Sequence, residues 1–262
     1  MIRALYTAAS GMSAQQANLD SIANNLANSG TAGFRQIRMQ FEDMMYQNMI
    51  TPGSPASEQT VSAGLQIGLG TKASATEVIQ TQGDFNQTGN TLDLAIQGAG
   101  FFQVQMPNGT TAYTRAGSFH MNNQGTLVTA DGNQLLPPIT VPSSATALTI
   151  SQYGVVSATL PGQTAPATLG TIQLANFANA GGLNATGGSL FTPTSSSGNA
   201  ITDVPGGNSG VGTLQQGYLE NSNVDVVSEF VQMILAQRAY ESNSKVIHVA
   251  DDMYSQINGI IR

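Results

Sequence analysis

Apolar side chains recur every seven residues toward the C-terminal end of the chain. Val226, Met233, Tyr240, Ile247, Tyr254 and Ile261 form one row, and Ala239, Val246, Met253 and Ile260 a second beside it. At 3.6 residues per turn, such rows share one side of a helix. The spacing predicts a helix from about Ser222 to Arg262, roughly 55 Å long at 1.5 Å per residue. Ser222 and Asp225 read as a capping box, and Asp225 and Glu229 suit the positive end of the helix dipole. Glu241 and Lys245 read as an i,i+4 ion pair on the opposite face. A helix this long with one apolar stripe needs something outside itself to cover the stripe.

The N-terminal segment, about Ile2 to Asn28, repeats the pattern with Leu5, Met12, Leu19 and Leu26, and Ile22 widens the stripe. Ala4, Ala8 and Gly11 give a small-residue face where another helix backbone can approach. Asn28-Ser29-Gly30 reads as C-cap chemistry. All ten prolines lie between Pro52 and Pro205, so long helices are expected only at the two ends. Neither end can bury its stripe alone. The simplest solution pairs them as a coiled-coil-like hairpin, although Gln15 stands where a second apolar row would want a large side chain.

Between the ends the pattern changes. Residues 34–70 form a connecting segment, with a short helix expected through Glu42 to Gln47 and a break at Thr51-Pro52-Gly53-Ser54-Pro55. Gly64, Gly68 and Gly70 punctuate an extended stretch. Four of the ten methionines lie between 39 and 49, where their adaptable side chains suit a packing surface. From 71 to 221 the alternation is that of strands. Phe102, Val104 and Met106 lead into the Asn108-Gly109 turn, and Ala112-Tyr113-Thr114 returns. Phe119 and Met121, Leu127-Val128, Leu148 to Ile150, Val155-Val156 and Leu169 to Phe177 are further strands, with turns at Asn123 to Gly125 and at Asp131-Gly132. Gly181 to Gly212 reads as loops with little regular structure. The expected fold is α+β: a 1–33 helical segment, the 34–70 connection, a mainly-β domain at 71–221 and a 222–262 helix that pairs with the first.

Charge narrows the functions open to this fold. Charged residues make up 9% of the 262 residues, against about 25% in ordinary soluble proteins. Between Arg115 and Glu220 the only charged residues are Asp131 and Asp203. Such a surface offers little repulsion between copies of the chain. A net charge of −7 and few, scattered basic residues argue against nucleic acid as a partner. No window approaches eighteen apolar residues, so no membrane insertion is expected. The N-terminus shows no apolar signal region. With no Cys and two histidines, His120 and His248, no triad or thiolate metal site is evident. Asp251-Asp252 reads as an exposed pair, and Asp131-Gly132-Asn133 lacks the further ligands of a calcium loop. Gly98-Ala99-Gly100-Phe101 precedes a strand and lacks a lysine, so it reads as a tight turn and not a phosphate loop. No catalytic, cofactor or metal residue is expected.

Three separated motifs then resemble one family. Ala23 to Asn28, with Asn24 and Asn25, followed by Thr31, Gly33-Phe34 and Arg35, is similar to the N-terminal signature of bacterial flagellar rod and hook proteins. Gly98 to Val104 and Tyr113 to Phe119 resemble the core strands of that family. Glu220 to Asp225 and Met233 to Lys245, including Gln237, Arg238, Tyr240 and Asn243, resemble its C-terminal signature. Phe41 to Gln47, Ser57 to Thr60 and Gly64 to Gly68 are most similar to its distal-rod members. Hook members carry a large extra domain for which this chain has no room.

The resemblance implies a structural subunit of the flagellar distal rod, a drive shaft that self-assembles into a rigid hollow helical tube. The tube would carry torque to the hook and conduct exported subunits. Implied partners are further copies of itself, proximal-rod and hook axial proteins, the surrounding basal-body rings and the export apparatus. Implied localisation is the periplasm-spanning rod, reached without a cleaved signal peptide. The helical ends would form the inner wall, with Leu5, Met12, Leu19, Ile22, Leu26, Val226, Met233, Tyr240, Ile247 and Tyr254 as polymer interface. A proximal-rod or hook-type paralogue, or a secreted β-rich binding module with an aromatic cleft, are the competing readings.

Overall fold

The computed structural model describes residues 2–50, 55–56, 59–60, 64–162 and 165–260. The break expected at Thr51 to Ser54, the Ser57-Glu58 pair and Ile261 lie outside these residues. The chain divides into two compact units. A helical unit comprises Met1–Ala27, Ile37–Val78 and Asp225–Arg262, and a β unit comprises Asn28–Gln36 and Ile79–Val224.

Among the described residues the helical unit holds two α-helices, α1 (Ile2–Ala27, 26 residues) and α2 (Val226–Ile260, 35 residues). The cap of α2 is Asp225 and not Ser222. Asp225 Oδ1 accepts the Val227 N–H at 3.1 Å, and its carbonyl accepts the Glu229 N–H at 3.0 Å, closing the first turn. Ser222 instead orders the approach, accepting the Val224 N–H at 3.3 Å. At the other junction α1 stops before Asn28 as expected. Gly30 is not the left-handed residue there, however; the first positive φ falls at Gly33. Glu241 and Lys245 are both exposed, and no ion pair joins them among the described residues.

The helices run antiparallel. Gly11 lies against Asn243, and Ala4 shares a groove with Val246, Val249, Ala250 and Met253. A Cβ at Gly11 would meet Asn243 Nδ2 at 2.8 Å, so the glycine is what admits the asparagine. On α2, Met233, Ile247 and Tyr254 of the seven-residue row are half-buried, whereas Val226 and Tyr240 of the same row are exposed. Their companion row differs from the expected one. Val246 and Met253 are exposed, while Glu229, Ala236 and Ala250 are buried and Asn243 half-buried. A residue one position before the seam is about 100° around the helix, whereas one three positions after it is only about 60° away. The second choice keeps to the seam.

The segment after α1 is a long antiparallel ribbon, not a connection with a short helix. Ile37–Asp43 pairs with Thr71–Val78, Gln47–Ile50 with Leu65–Ile67, and Pro55–Ala56 with Gln59–Thr60. The stretch expected to be helical spans the end of one strand and the start of the next. Asn25 ties the ribbon to α1 by imitating a strand. Its Oδ1 accepts the Ile37 N–H at 2.9 Å, and its Nδ2 donates to the Ile37 carbonyl at 2.8 Å.

The β unit is built on Phe101–Gln105, the central strand of a sheet of nine strands among the described residues. Both faces of this strand are covered. Phe102 and Val104 enter a core with Phe119, Leu127, Leu135, Ile172 and Leu174. Phe101 faces the other way and meets the Phe177 and Phe191 rings edge-on, each with centroids 5.9 Å apart. The expected hairpin forms, with Thr111–Thr114 returning beside Phe101–Gln105 and Gly109 at φ +81°. Gly181 to Gly212 is more regular than its composition suggests. Asn184–Gly187 and Leu190–Thr192 extend the sheet at one edge, and Ile201–Asp203 pairs with Leu174–Asn176. Asn184–Gly187 is exposed throughout, so no apolar alternation marked it.

Candidate functional site

Two features stand out, one in each unit. In the helical unit it is apolar surface. Val227, Phe230, Val231 and Ile234 stand at i, i+3, i+4 and i+7 on α2 and are exposed, Val227 by 72%, with Leu235 beside them. This is a complete helical stripe on a face other than the one turned to α1. The ribbon adds Met45, 86% exposed, with Tyr46, Met49, Ile50 and Leu65. Exposed ion pairs run along the same ribbon: Arg38 to Glu77 at 2.8 Å and Lys72 to Glu42 at 3.4 Å. Hydrogen bonds from Arg38 and then Gln40 hold the Glu77 carboxyl below its ordinary range. Ser74 first, then Lys72, does the same for Glu42. The bond to Asp43 pushes the Tyr46 hydroxyl up.

The residues expected at a polymer interface divide. Ile22 is buried within the helical unit. Leu5, Met12, Leu19, Leu26, Met233, Ile247 and Tyr254 are half-buried there, and Val226 and Tyr240 are exposed. Most of this set is occupied inside one chain, and the uncovered stripe is Val227, Phe230, Val231 and Ile234. Its spacing was visible in the sequence but lay beside a longer seven-residue row.

In the β unit the feature is a buried charge triad. Arg35 and Glu220 have fully buried side chains, and Arg115 is 5% exposed. Arg35 Nη2 lies 2.8 Å from Glu220 Oε1, an ion pair without an aligned hydrogen bond. Arg115 Nη1 donates to Glu220 Oε2 at 3.2 Å, and the Gly83 N–H to Oε1 at 3.1 Å. Carbonyls take other donors: Thr81 from Arg35 at 3.0 Å, and Gly98 from Arg115 at 2.7 Å. The Arg115 guanidinium also lies over the Phe101 ring, 5.4 Å from its centroid. Loss of water lowers the Arg115 pKa to about 10, more than the attraction of Glu220 can restore.

The triad explains several signature residues. Gly33, at φ +70°, donates its N–H to the Glu220 carbonyl at 2.8 Å, and a Cβ there would stand 2.5 Å from the Ala116 nitrogen. Asn223 Oδ1 accepts the Gln36 N–H at 2.7 Å while its Nδ2 donates to the Ile79 carbonyl at 2.9 Å. Thr31 donates its hydroxyl to Asn28 Oδ1 at 3.2 Å, and Phe34 is half-buried. Asn24, Gln237, Arg238 and Lys245 are exposed and Asn243 half-buried. The sequence held one sign of the triad: two of its members bound the charge-poor stretch from 115 to 220.

Candidate chemistry does not converge. His120 in the β unit and His248 on α2 are exposed, as are Asp251 and Asp252. Among the described residues no cluster of potential metal ligands occurs. A cleft of about 500 Å³ in the β unit, between the Met121 to Gly125 turn and Thr140 to Leu148, has no aromatic or ionisable side chain in its lining.

Three family models match the chain. They are the flagella basal body rod protein at residues 5–35, the flagellar hook protein FlgE/F/G D1 domain at 95–158, and the flagellar basal body rod FlgEFG protein C-terminal at 215–260. Each match contains one member of the triad. The chain is 51% identical over 254 residues to the flagellar basal-body rod protein FlgG of Caulobacter vibrioides, covering 96% of this chain and 97% of that one. It is 47% identical over 265 residues to FlgG of Borreliella burgdorferi, with both chains fully covered. It is 40% identical over 269 residues to FlgG of Bacillus subtilis, again with both fully covered.

Proposed function

Because the chain belongs to the flagellar basal-body rod protein family, we propose that it is a structural subunit of the distal rod. In this reading α1 and α2 pair as a coiled-coil-like hairpin. Copies join through their helical segments, 1–33 and 222–262, into a rigid hollow helical tube with the 71–221 domain outside. The tube passes torque to the hook, and exported subunits travel through it. Its neighbours are proximal-rod and hook axial proteins, the surrounding rings and the export apparatus, along the part of the basal body that spans the periplasm.

The observation that carries the reading is the uncovered stripe Val227, Phe230, Val231 and Ile234 on a helix whose other face is already packed. Fully burying one such side chain contributes about 1.5–3 kcal/mol. Covering several that are about half exposed gives on the order of 5 kcal/mol per copy before the cost of association. The low charge of the chain leaves little repulsion to oppose it.

The test is electron microscopy of purified, concentrated protein, which should show straight tubes. Ile234→Glu should raise the concentration needed for tubes at least about tenfold, while Ser242→Glu, on the polar middle of α2, should leave it unchanged. A protein that stays monomeric at every concentration, or equal effects of the two substitutions, would refute the reading.

A further inference from the structure

The helical unit carries an apolar projection toward one end and an apolar groove toward the other. The projection is the exposed stretch Val227 to Leu235, with Phe230 its largest side chain. The groove has a volume of about 250 Å³ and is lined by Ala4, Lys245, Val246, Val249, Ala250 and Met253. It exists because Ala4 and Ala250 supply only a methyl group each where the helices come together. Both features span nine residues of α2, about 12 Å at 1.5 Å per residue. They are also of one chemistry, since only Lys245 among the lining residues is charged. Between them Arg238, Glu241, Ser242 and Lys245 continue the face of the projection in polar form, which ends the stripe sharply.

The projection cannot fill the groove of its own chain. Phe230 and Val249 lie 19 positions apart on one uninterrupted helix, about 28 Å along its axis. We propose that the Phe230 projection of one copy enters the Ala4–Ala250 groove of a second copy, displaced along the helix axis by about that distance. The proposal rests on the self-assembly reading and specifies its contact. Projection and groove are different surfaces, so each joined pair still offers one of each. Such a heterologous contact extends into a filament unless its rotation happens to close a ring.

The chain has no cysteine, so Val231→Cys with Val249→Cys, which keeps Phe230 and changes two exposed valines, introduces its only thiols. Air oxidation of assembled protein, with copper phenanthroline as catalyst, should join copies head to tail. Denaturing gels without reductant should then show a ladder of dimers, trimers and higher multiples. Separately, Ala4→Leu should fill the groove and raise the concentration needed for tubes at least tenfold without lowering the melting temperature of the monomer. Phe230→Ala should do likewise, and the two together should cost no more than the worse one alone, because both act on one contact. Tubes that form without a ladder, or costs that simply multiply, would overturn this contact while leaving the rod reading standing. If the parent protein forms no tubes at all, the rod reading falls and takes the contact with it.

Discussion

Glu220→Gln tests the triad most directly. The substitution keeps the shape of the side chain and removes the one negative charge between two buried guanidinium groups. Arg35 at 2.8 Å and Arg115 at 3.2 Å would then face each other's charge across a neutral amide. One amide hydrogen-bond donor would also point toward a group that is itself a donor. Breaking a buried ion pair by removing one partner costs about 3–5 kcal/mol. Here two partners are orphaned, so the upper part of that range is expected. The remaining bonds, which Arg35 donates to the Thr81 carbonyl and Arg115 to the Gly98 carbonyl, limit the loss. For a unit of this size each kcal/mol lowers the melting temperature by about 2–4 °C, so a drop of roughly 10 °C or more is expected. With no tryptophan in the chain, near-ultraviolet circular dichroism of the tyrosines is the direct readout. A loss below about 1 kcal/mol would show that the guanidinium groups are compensated by carbonyls alone, and that Glu220 does not hold the β unit together. Replacing all three residues with methionine is the control, and should cost far less than Glu220→Gln, because a buried charge network can be exchanged for apolar packing at little loss.

Two further outcomes follow from local geometry. Gly33→Ala should destabilise the β unit by roughly 2–4 kcal/mol, since a left-handed backbone costs an L residue about 1–2 kcal/mol and the new methyl also meets the Ala116 backbone; equal denaturation midpoints for the two proteins would refute the close approach. In the ribbon, Glu77 should titrate below the 4.5 of an unperturbed glutamate, and Arg38→Gln should move its midpoint upward, read from the side-chain carboxyl carbon by nuclear magnetic resonance. Because the folded value is the lower one, the stabilisation is present above about pH 4.5 and fades as the pH falls through the folded midpoint. An unmoved midpoint would remove Arg38 as the cause.

The helices were legible because their seven-residue rows are long and free of proline. What covers the inner face of α2 was not, because Ala236 and Ala250 carry only a weak apolar signal and Asn243 none; their spacing matters more than their hydrophobicity. Hairpins with a glycine in the turn, such as Asn108-Gly109, were legible from turn chemistry. The ribbon was not, because its strands are exposed along Gln40 to Asp43 and along Gln47 to Ile50 and so show no alternation there. Asn184–Gly187 was hidden for a related reason: a strand exposed along its length imposes no pattern. The triad was half legible. The scarcity of charge between 115 and 220 could be seen, but that Arg35 would join the two boundary charges depends on a contact 185 positions away, which no local pattern encodes.

That separation has a consequence for how the chain comes to be folded. The carboxylate that pairs with Arg35 and the carbonyl that accepts the Gly33 N–H both belong to Glu220, and the Gln36 N–H is accepted by Asn223. A polypeptide released N-terminus first therefore cannot complete its β unit until about 85% of it has emerged. Until that moment Arg35 and Arg115 lack their shared carboxylate, and the fold upstream of Glu220 carries two guanidinium groups without a counter-charge between them.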